Sequence, residues 1–145
     1  MSFSGESTTD DVLAGIDLGG KHALVTGATG GLGIETARAL ASKGASVTIA
    51  GRSPEKIEAA LSTLREEVPG ASVDGGEVDL ASLANIQAAT KRIVEQGRSI
   101  DLLILNAGVM MCPEGQTADG FETQTGTNHF GHFAFTGGLM SVIAT

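Results

Sequence analysis

The sequence contains no tyrosine and no tryptophan; its aromatic residues are five phenylalanines. Chemistry that needs a phenol hydroxyl therefore has no donor in these residues. A single cysteine, Cys112, excludes an internal disulfide and suits a reducing compartment. No apolar run approaches the roughly 18 residues that a membrane-spanning helix needs. Basic residues are few and scattered: 9 Lys and Arg against 17 Asp and Glu give a net charge of −8. That balance argues against a nucleic-acid partner or an anionic membrane surface. The polar, acidic start, Met1 to Asp11, lacks the basic and apolar regions of a secretory signal. Together these absences point to a cytoplasmic protein. What is plentiful is glycine, 21 residues, and apolar side chains at 41%, enough for the core of one domain or part of a larger one.

Residues 1–20 read as a lead-in, with one helical turn at Thr9 to Leu13, and residues 21–145 as the domain. His22 to Thr26 is a short apolar run closed by Gly27, as expected of a buried strand. Gly31 to Lys43 follows as a helix with Gly44 just past its end. A second strand covers Ser46 to Ala50. Ser53 and Pro54 then fit the N-cap and first position of a helix whose Ile57, Ala60, Leu61 and Leu64 share one face. Ala71 to Val78 is a weaker strand, diluted by Gly75 and Gly76. Ser82 begins a third helix with Leu83, Ile86 and Ile93 on one side, stopped near Gly97. Asp101 to Leu105 is a fourth buried strand. After a loop, Asp119 and Glu122 form a capping box for a last helix through Asn128 and His132, with fraying expected at Gly137 and Gly138. This alternation predicts an α/β fold: a Rossmann-type, doubly wound parallel sheet of about four strands in three αβα layers, incomplete at one side.

Between the first strand and the first long helix lies Thr26-Gly27-Ala28-Thr29-Gly30-Gly31-Leu32-Gly33. Glycine lets the chain turn tightly and lets a pyrophosphate approach the backbone, while the N–H groups at the helix start attract negative charge. Thr26, Gly27, Thr29, Gly30, Gly31, Leu32 and Gly33 are therefore candidate residues for binding a dinucleotide. The same glycines could serve a plain strand-to-helix turn. The Lys-Ser/Thr ending of a nucleoside-triphosphate loop is absent.

These residues resemble the short-chain dehydrogenase/reductase family. Thr26-Gly27-x-x-x-Gly31-x-Gly33 is similar to its cofactor loop, and Leu105-Asn106-Ala107-Gly108 to its Asn-Asn-Ala-Gly motif with Leu for the first Asn. Thr127-Asn128-His129-Phe130-Gly131-His132-Phe133 and the lead-in Asp17-Leu18-Gly19-Gly20-Lys21 resemble its retinol-dehydrogenase-like branch. The resemblance implies an oxidoreductase that passes hydride between a nicotinamide cofactor and a small-molecule alcohol or carbonyl. It implies NADP, with NAD the second choice, because Arg52 matches a basic position of NADP-preferring members. Neither Ala50 nor Gly51 supplies the acid an NAD site uses for the ribose. A solvated surface charge is the other reading of Arg52. By the same resemblance Asp79 and Leu80 meet the adenine, Asn106, Ala107 and Gly108 line the ribose, and Asn128 is the catalytic helix Asn that holds a water of the proton relay. The alternatives are N-capping for Asp79, a turn at Asn106 to Gly108, and a polar residue at a helix kink for Asn128.

The acid–base pair of that family is Tyr-x-x-x-Lys, and it does not occur here; the sequence stops at Thr145, before its expected place. A truncated N-terminal part is expected, marginally stable because its fourth strand is an open edge, and with self-association left open. The rival reading is a non-catalytic NADP-binding module or an inactive fragment. A methyltransferase would want an acidic residue after the second strand, which is lacking. His129 and His132, three apart, lack a further carboxylate or thiolate partner, and Cys112 lacks an activating base, so no metal site and no catalytic thiol are expected.

Overall fold

The computed structural model describes residues 3–144. Four parallel strands, β1 (His22–Thr26), β2 (Ser46–Gly51), β3 (Val73–Glu77) and β4 (Leu102–Ile104), lie in the order β3-β2-β1-β4. The helices are α1 (Thr9–Val12), α2 (Gly31–Ser42), α3 (Pro54–Glu67), α4 (Leu83–Glu95) and α5 (Thr123–Thr125), then a π-helical turn at Gly126–Gly131 that runs into α6 (His132–Leu139). Strand alternation sorts the core. Ala23, Val25, Val47 and Ile49 pack with Ala37, Ala41, Ile57, Leu61 and Leu64 of α2 and α3. Leu24 and Ala50 face the other way, onto Ile86, Ala89, Phe135 and Leu139 of α4 and α6. The result is the expected three-layer, doubly wound sheet.

Four local expectations change. The fourth strand is shorter than Asp101 to Leu105 and only half buried. Asp101 instead ties the strand starts together, accepting from Lys21 Nζ and the His22 N–H, each at 2.9 Å. Beside this strand the chain returns: Ile100 N–H donates to Val142 O at 2.7 Å and Ala144 N–H to Ile100 O at 2.9 Å, so the outer edge is open along β4 but paired at Ile100. Leu83 is exposed rather than on the buried face of α4, which is formed by Ile86, Ala89 and Thr90. Asp119 and Glu122 do not share a capping box. Glu122 alone caps α5, while Asp119 accepts from Leu83 N–H at 2.8 Å and so meets the first N–H of α4 beside its Ser82 cap. Gly137 and Gly138 do not fray α6. A Cβ on Gly138 would fall 2.6 Å from Thr90 Oγ1, so this glycine lets α6 lie close against α4.

The lead-in turn α1 is capped by Thr8 and docks on α2 through a cluster of charge-assisted bonds. Arg38 donates to Glu35 and Asp10, and Thr9 joins Glu35 to Arg38. The hydrogen bond from Arg38, then that from Thr9, lower the Glu35 carboxyl from 4.5 to about 2. A carboxyl lowered on folding stabilises at pH values above its unfolded value, and that stability is lost as the pH falls through the folded one. The clasp should therefore hold at neutral pH and release between pH 4.5 and about 2, and release sooner in high salt because the pair is partly solvated. The Thr9 amide resonance followed through an acid titration checks this; a shift that stays flat over that window contradicts it.

Candidate functional site

In a doubly wound sheet, ligands sit outside the carboxyl ends of the strands where the strand order reverses. Here the reversal falls between β1 and β4, and a cleft of about 340 Å³ opens there. All four strand ends contribute to it: Thr26, Gly27 and Thr29 after β1, Gly51 and Arg52 at the end of β2, Asp79 and Leu80 after β3, and Asn106, Ala107 and Gly108 after β4. Ala50, Val78, Val109 and Thr127 complete the lining; these four and Gly51 were not singled out by pattern, because they are apolar or small residues whose place depends on sheet geometry. Gly30, Gly31, Leu32 and Gly33 form the adjoining helix start rather than the cleft wall. Leu32 turns its side chain to solvent, 81% exposed.

The glycine turn owes its shape to close approaches. Gly27 has φ +67°, and a Cβ there would sit 2.7 Å from Ala107 Cα. A Cβ on Gly33 would fall 2.6 Å from Asn106 Nδ2 and 2.8 Å from Ala28 Cα. Asn106 fixes this junction by donating from Nδ2 to the carbonyls of Thr26 (2.9 Å) and Gly27 (3.3 Å). Ala107 N–H donates to the buried Thr26 hydroxyl at 3.0 Å. Ser53 and Ser82 cap α3 and α4 with side-chain oxygens, but the N-cap of α2 is Gly30, with no side chain to give. The first N–H groups of α2 are thus left for another acceptor.

Asp79 accepts from Ala81 N–H at 3.0 Å, while its own N–H donates to Asn85 at 2.8 Å; the cap of α4 is Ser82, so Asp79 shapes the loop and does not cap the helix. Asn128 lies on the π-helical turn. It is solvent-exposed, not a buried kink residue, and its amide clasps Val109 in both directions at 2.8 Å. Arg52 is the one Lys or Arg on the cleft wall and forms no ion pair among the described residues. The two histidines part ways: His129 is exposed against Phe130, whereas His132 is buried with both ring nitrogens engaged.

A family model described as short chain dehydrogenase matches residues 21–144. The chain belongs to the short-chain dehydrogenase family. Human retinol dehydrogenase 13 is 46% identical over 121 residues, 83% of this chain and 37% of that protein. The chloroplastic short-chain dehydrogenase TIC 32 A of Brassica napus is 36% identical over 138 residues, 95% of this chain and 43% of its own. Among solved structures, a Mycobacterium paratuberculosis protein superimposes with a TM-score of 0.76 at 40% identity, covering 88% of this chain and 44% of that one. A short-chain dehydrogenase from Shigella flexneri, complexed with NADP, gives 0.72 at 30% identity, covering 86% and 54%. The chain thus spans well under half the length of the curated relatives it matches. No helix among the described residues is long and apolar enough to cross a membrane.

Proposed function

We propose that the cleft binds a nicotinamide dinucleotide, NADP before NAD, and that this short-chain dehydrogenase domain serves hydride transfer between that cofactor and a carbonyl or alcohol carbon of a small apolar substrate. The observation that carries the reading is the uncapped start of α2 beside the reversal point of the sheet. Its N–H groups and positive dipole end have no side-chain partner, and the glycines at 27 and 33 bring backbone, not side chains, to the turn. Thr26, Gly27, Thr29, Gly30, Gly31, Leu32 and Gly33 would hold the pyrophosphate. Arg52 would meet a 2′-phosphate, Asp79 and Leu80 the adenine, and Asn106, Ala107 and Gly108 the nicotinamide-side ribose. When bound, the cofactor supplies or accepts the hydride. Asn128 would stand on the proton path, while the Tyr-x-x-x-Lys pair that the family uses to move the proton is not among these 145 residues. We read residues 1–20 as the lead-in and 21–145 as the cofactor-binding unit.

A second reading is a module that binds NADP without turnover. Titration of the chain with NADPH, followed by nicotinamide fluorescence, tests what both readings share. Saturable binding of one NADPH per chain is expected, with a dissociation constant on the order of micromolar. No binding up to millimolar NADPH overturns both. Carbonyl reduction by the same preparation would separate them in favour of the enzyme.

A further inference from the structure

The buried imidazole of His132 joins two walls of the cleft. Its Nδ1 lies 2.9 Å from the carbonyl oxygen of Asn128, one turn back, and its Nε2 lies 2.9 Å from Thr26 Oγ1. A carbonyl can only accept, so Nδ1 carries the proton; in the neutral ring Nε2 is then the bare nitrogen and accepts from the Thr26 hydroxyl, for which the Ile104 carbonyl at 3.4 Å is the more distant acceptor. Thr26 in turn accepts from Ala107 N–H at 3.0 Å. The series runs Ala107 N–H to Thr26 to His132 to the Asn128 carbonyl, with the Thr26–His132 bond fully buried and the two ends partly so. The backbone is π-helical from Gly126 to Gly131, and such wide turns concentrate at functional sites. The side-chain donor from position 132 competes for the Asn128 carbonyl that an α-helix would bond to the backbone N–H four residues on. From this turn the Asn128 amide reaches Val109, the end of the segment that lines the cleft after β4.

We infer that His132 is a positioning residue: its Nε2 seats the ring against Thr26, its Nδ1–H holds the Asn128 carbonyl and with it the wide turn, and through that second bond it sets the Gly108–Val109 wall against which the nicotinamide half of the cofactor lies. The last clause rests on the cofactor reading above; the first two concern the apo protein alone. Neither the i, i+3 spacing of His129 and His132 nor any motif around them points to this role, since the partner Thr26 lies 106 residues away in sequence.

Two conservative replacements divide the two bonds. Asn at 132 keeps a donor near Nδ1 and nothing near Nε2; Gln keeps a polar atom near Nε2 and nothing near Nδ1. In the apo protein, hydrogen exchange of the Val109 amide should speed at least about tenfold in H132Q and stay close to wild type in H132N. Binding of NADPH should weaken about tenfold in H132Q and by less than about threefold in H132N. Adenosine 2′,5′-bisphosphate, which has the adenine and 2′-phosphate but no nicotinamide, should bind both variants about as well as wild type. Equal behaviour of the two variants, or parallel loss of NADPH and the bisphosphate, would reduce His132 to a core residue and overturn the inference. If wild type binds neither ligand, the cofactor reading fails, and Val109 exchange still decides whether His132 holds the turn.

Discussion

Replacing Gly33 with Ala should lower the melting temperature by on the order of 10 °C, the largest stability effect of any one-methyl change at the glycine turn. The added Cβ would lie 2.6 Å from Asn106 Nδ2 and 2.8 Å from Ala28 Cα, and closer still to the Gly27 carbonyl. Two of those three neighbours are backbone, and the third is the amide that pins β1 to β4. None can swing aside as a flexible side-chain tip would. Forced overpacking of this kind costs about 3 kcal/mol, a large share of a small domain's stability. The helix can relieve the clash only by moving away from the sheet, so NADPH affinity should fall with it. The neighbouring glycines supply the scale. Gly31 has open space but φ +57°, so Ala there should cost about 1 kcal/mol of backbone strain. Gly30 is extended and open, so Ala there should change stability by less than about 0.5 kcal/mol. Parallel thermal melts of G33A, G31A and G30A check the order. A G33A melt that overlays G30A would mean that α2 does not approach the sheet as closely as the geometry requires.

Three glycines within four residues that look alike in the sequence thus have three different reasons, and this marks the limit of what pattern can give. The strands β1 and β2 and the helices α2, α3 and α4 were legible because their signals are local. Apolar runs are bounded by glycine, Ser53 and Pro54 or Ser82 mark helix starts, and Gly44 marks an end. Ile57, Ala60, Leu61 and Leu64 read as one face and are one buried face. What failed was decided by distant partners. Asp119 sits three residues before Glu122, the spacing of a capping box, yet its carboxylate is taken by the α4 start 36 residues earlier in the chain. Gly138 reads as a helix breaker, but the close approach of Thr90 makes a missing Cβ an advantage there. The apolar run at 101–105 promised a buried strand and gives a half-buried one, because a strand at the side of the sheet has a neighbour on one hand only.

For the candidate site the division is similar. Most of the residues that line the cleft after each strand were found from motif and resemblance, since the ends of parallel strands meet wherever this topology forms; Ala50, Gly51, Val78, Val109 and Thr127 were not. The resemblance could not say how the junction is held. The Asn106 bridge between two loops, the Asn128–Val109 clasp and the burial of His132 all depend on side-chain reach across elements far apart in the chain. Leu32 shows the converse: it stands inside the motif, yet its side chain points to water.

The choice between the two nicotinamide cofactors should turn on Gly51 and Arg52, and replacing either should shift it by one to two orders of magnitude. The chain carries a net charge of −8, so a ligand with a 2′-phosphate approaches an unfavourable field, and Arg52 is the one Lys or Arg on the cleft wall to oppose it. A charged hydrogen bond to phosphate contributes about 1.5–3 kcal/mol, so Arg52→Ala should weaken NADPH about 10- to 100-fold and leave NADH nearly unchanged. Gly51→Asp acts by the opposite route. It places a carboxylate at the end of β2, where it would repel the 2′-phosphate and accept from a ribose 2′-hydroxyl. Its Cβ would lie 3.0 Å from Thr29 Cγ2 and 3.5 Å from Ile57 Cγ1, both side-chain atoms, so a shift of a few tenths of an ångström at Thr29 makes room. NADPH should weaken about 100-fold in this variant while NADH tightens. Because the Arg52 effect is electrostatic and exposed to solvent, raising the salt concentration should shrink the difference between wild type and Arg52→Ala. Side-by-side titrations of wild type and both variants with NADPH and NADH, at low and high salt, read all of these quantities. An Arg52→Ala variant that loses NADPH and NADH equally would show that the guanidinium supports the loop and does not read the phosphate.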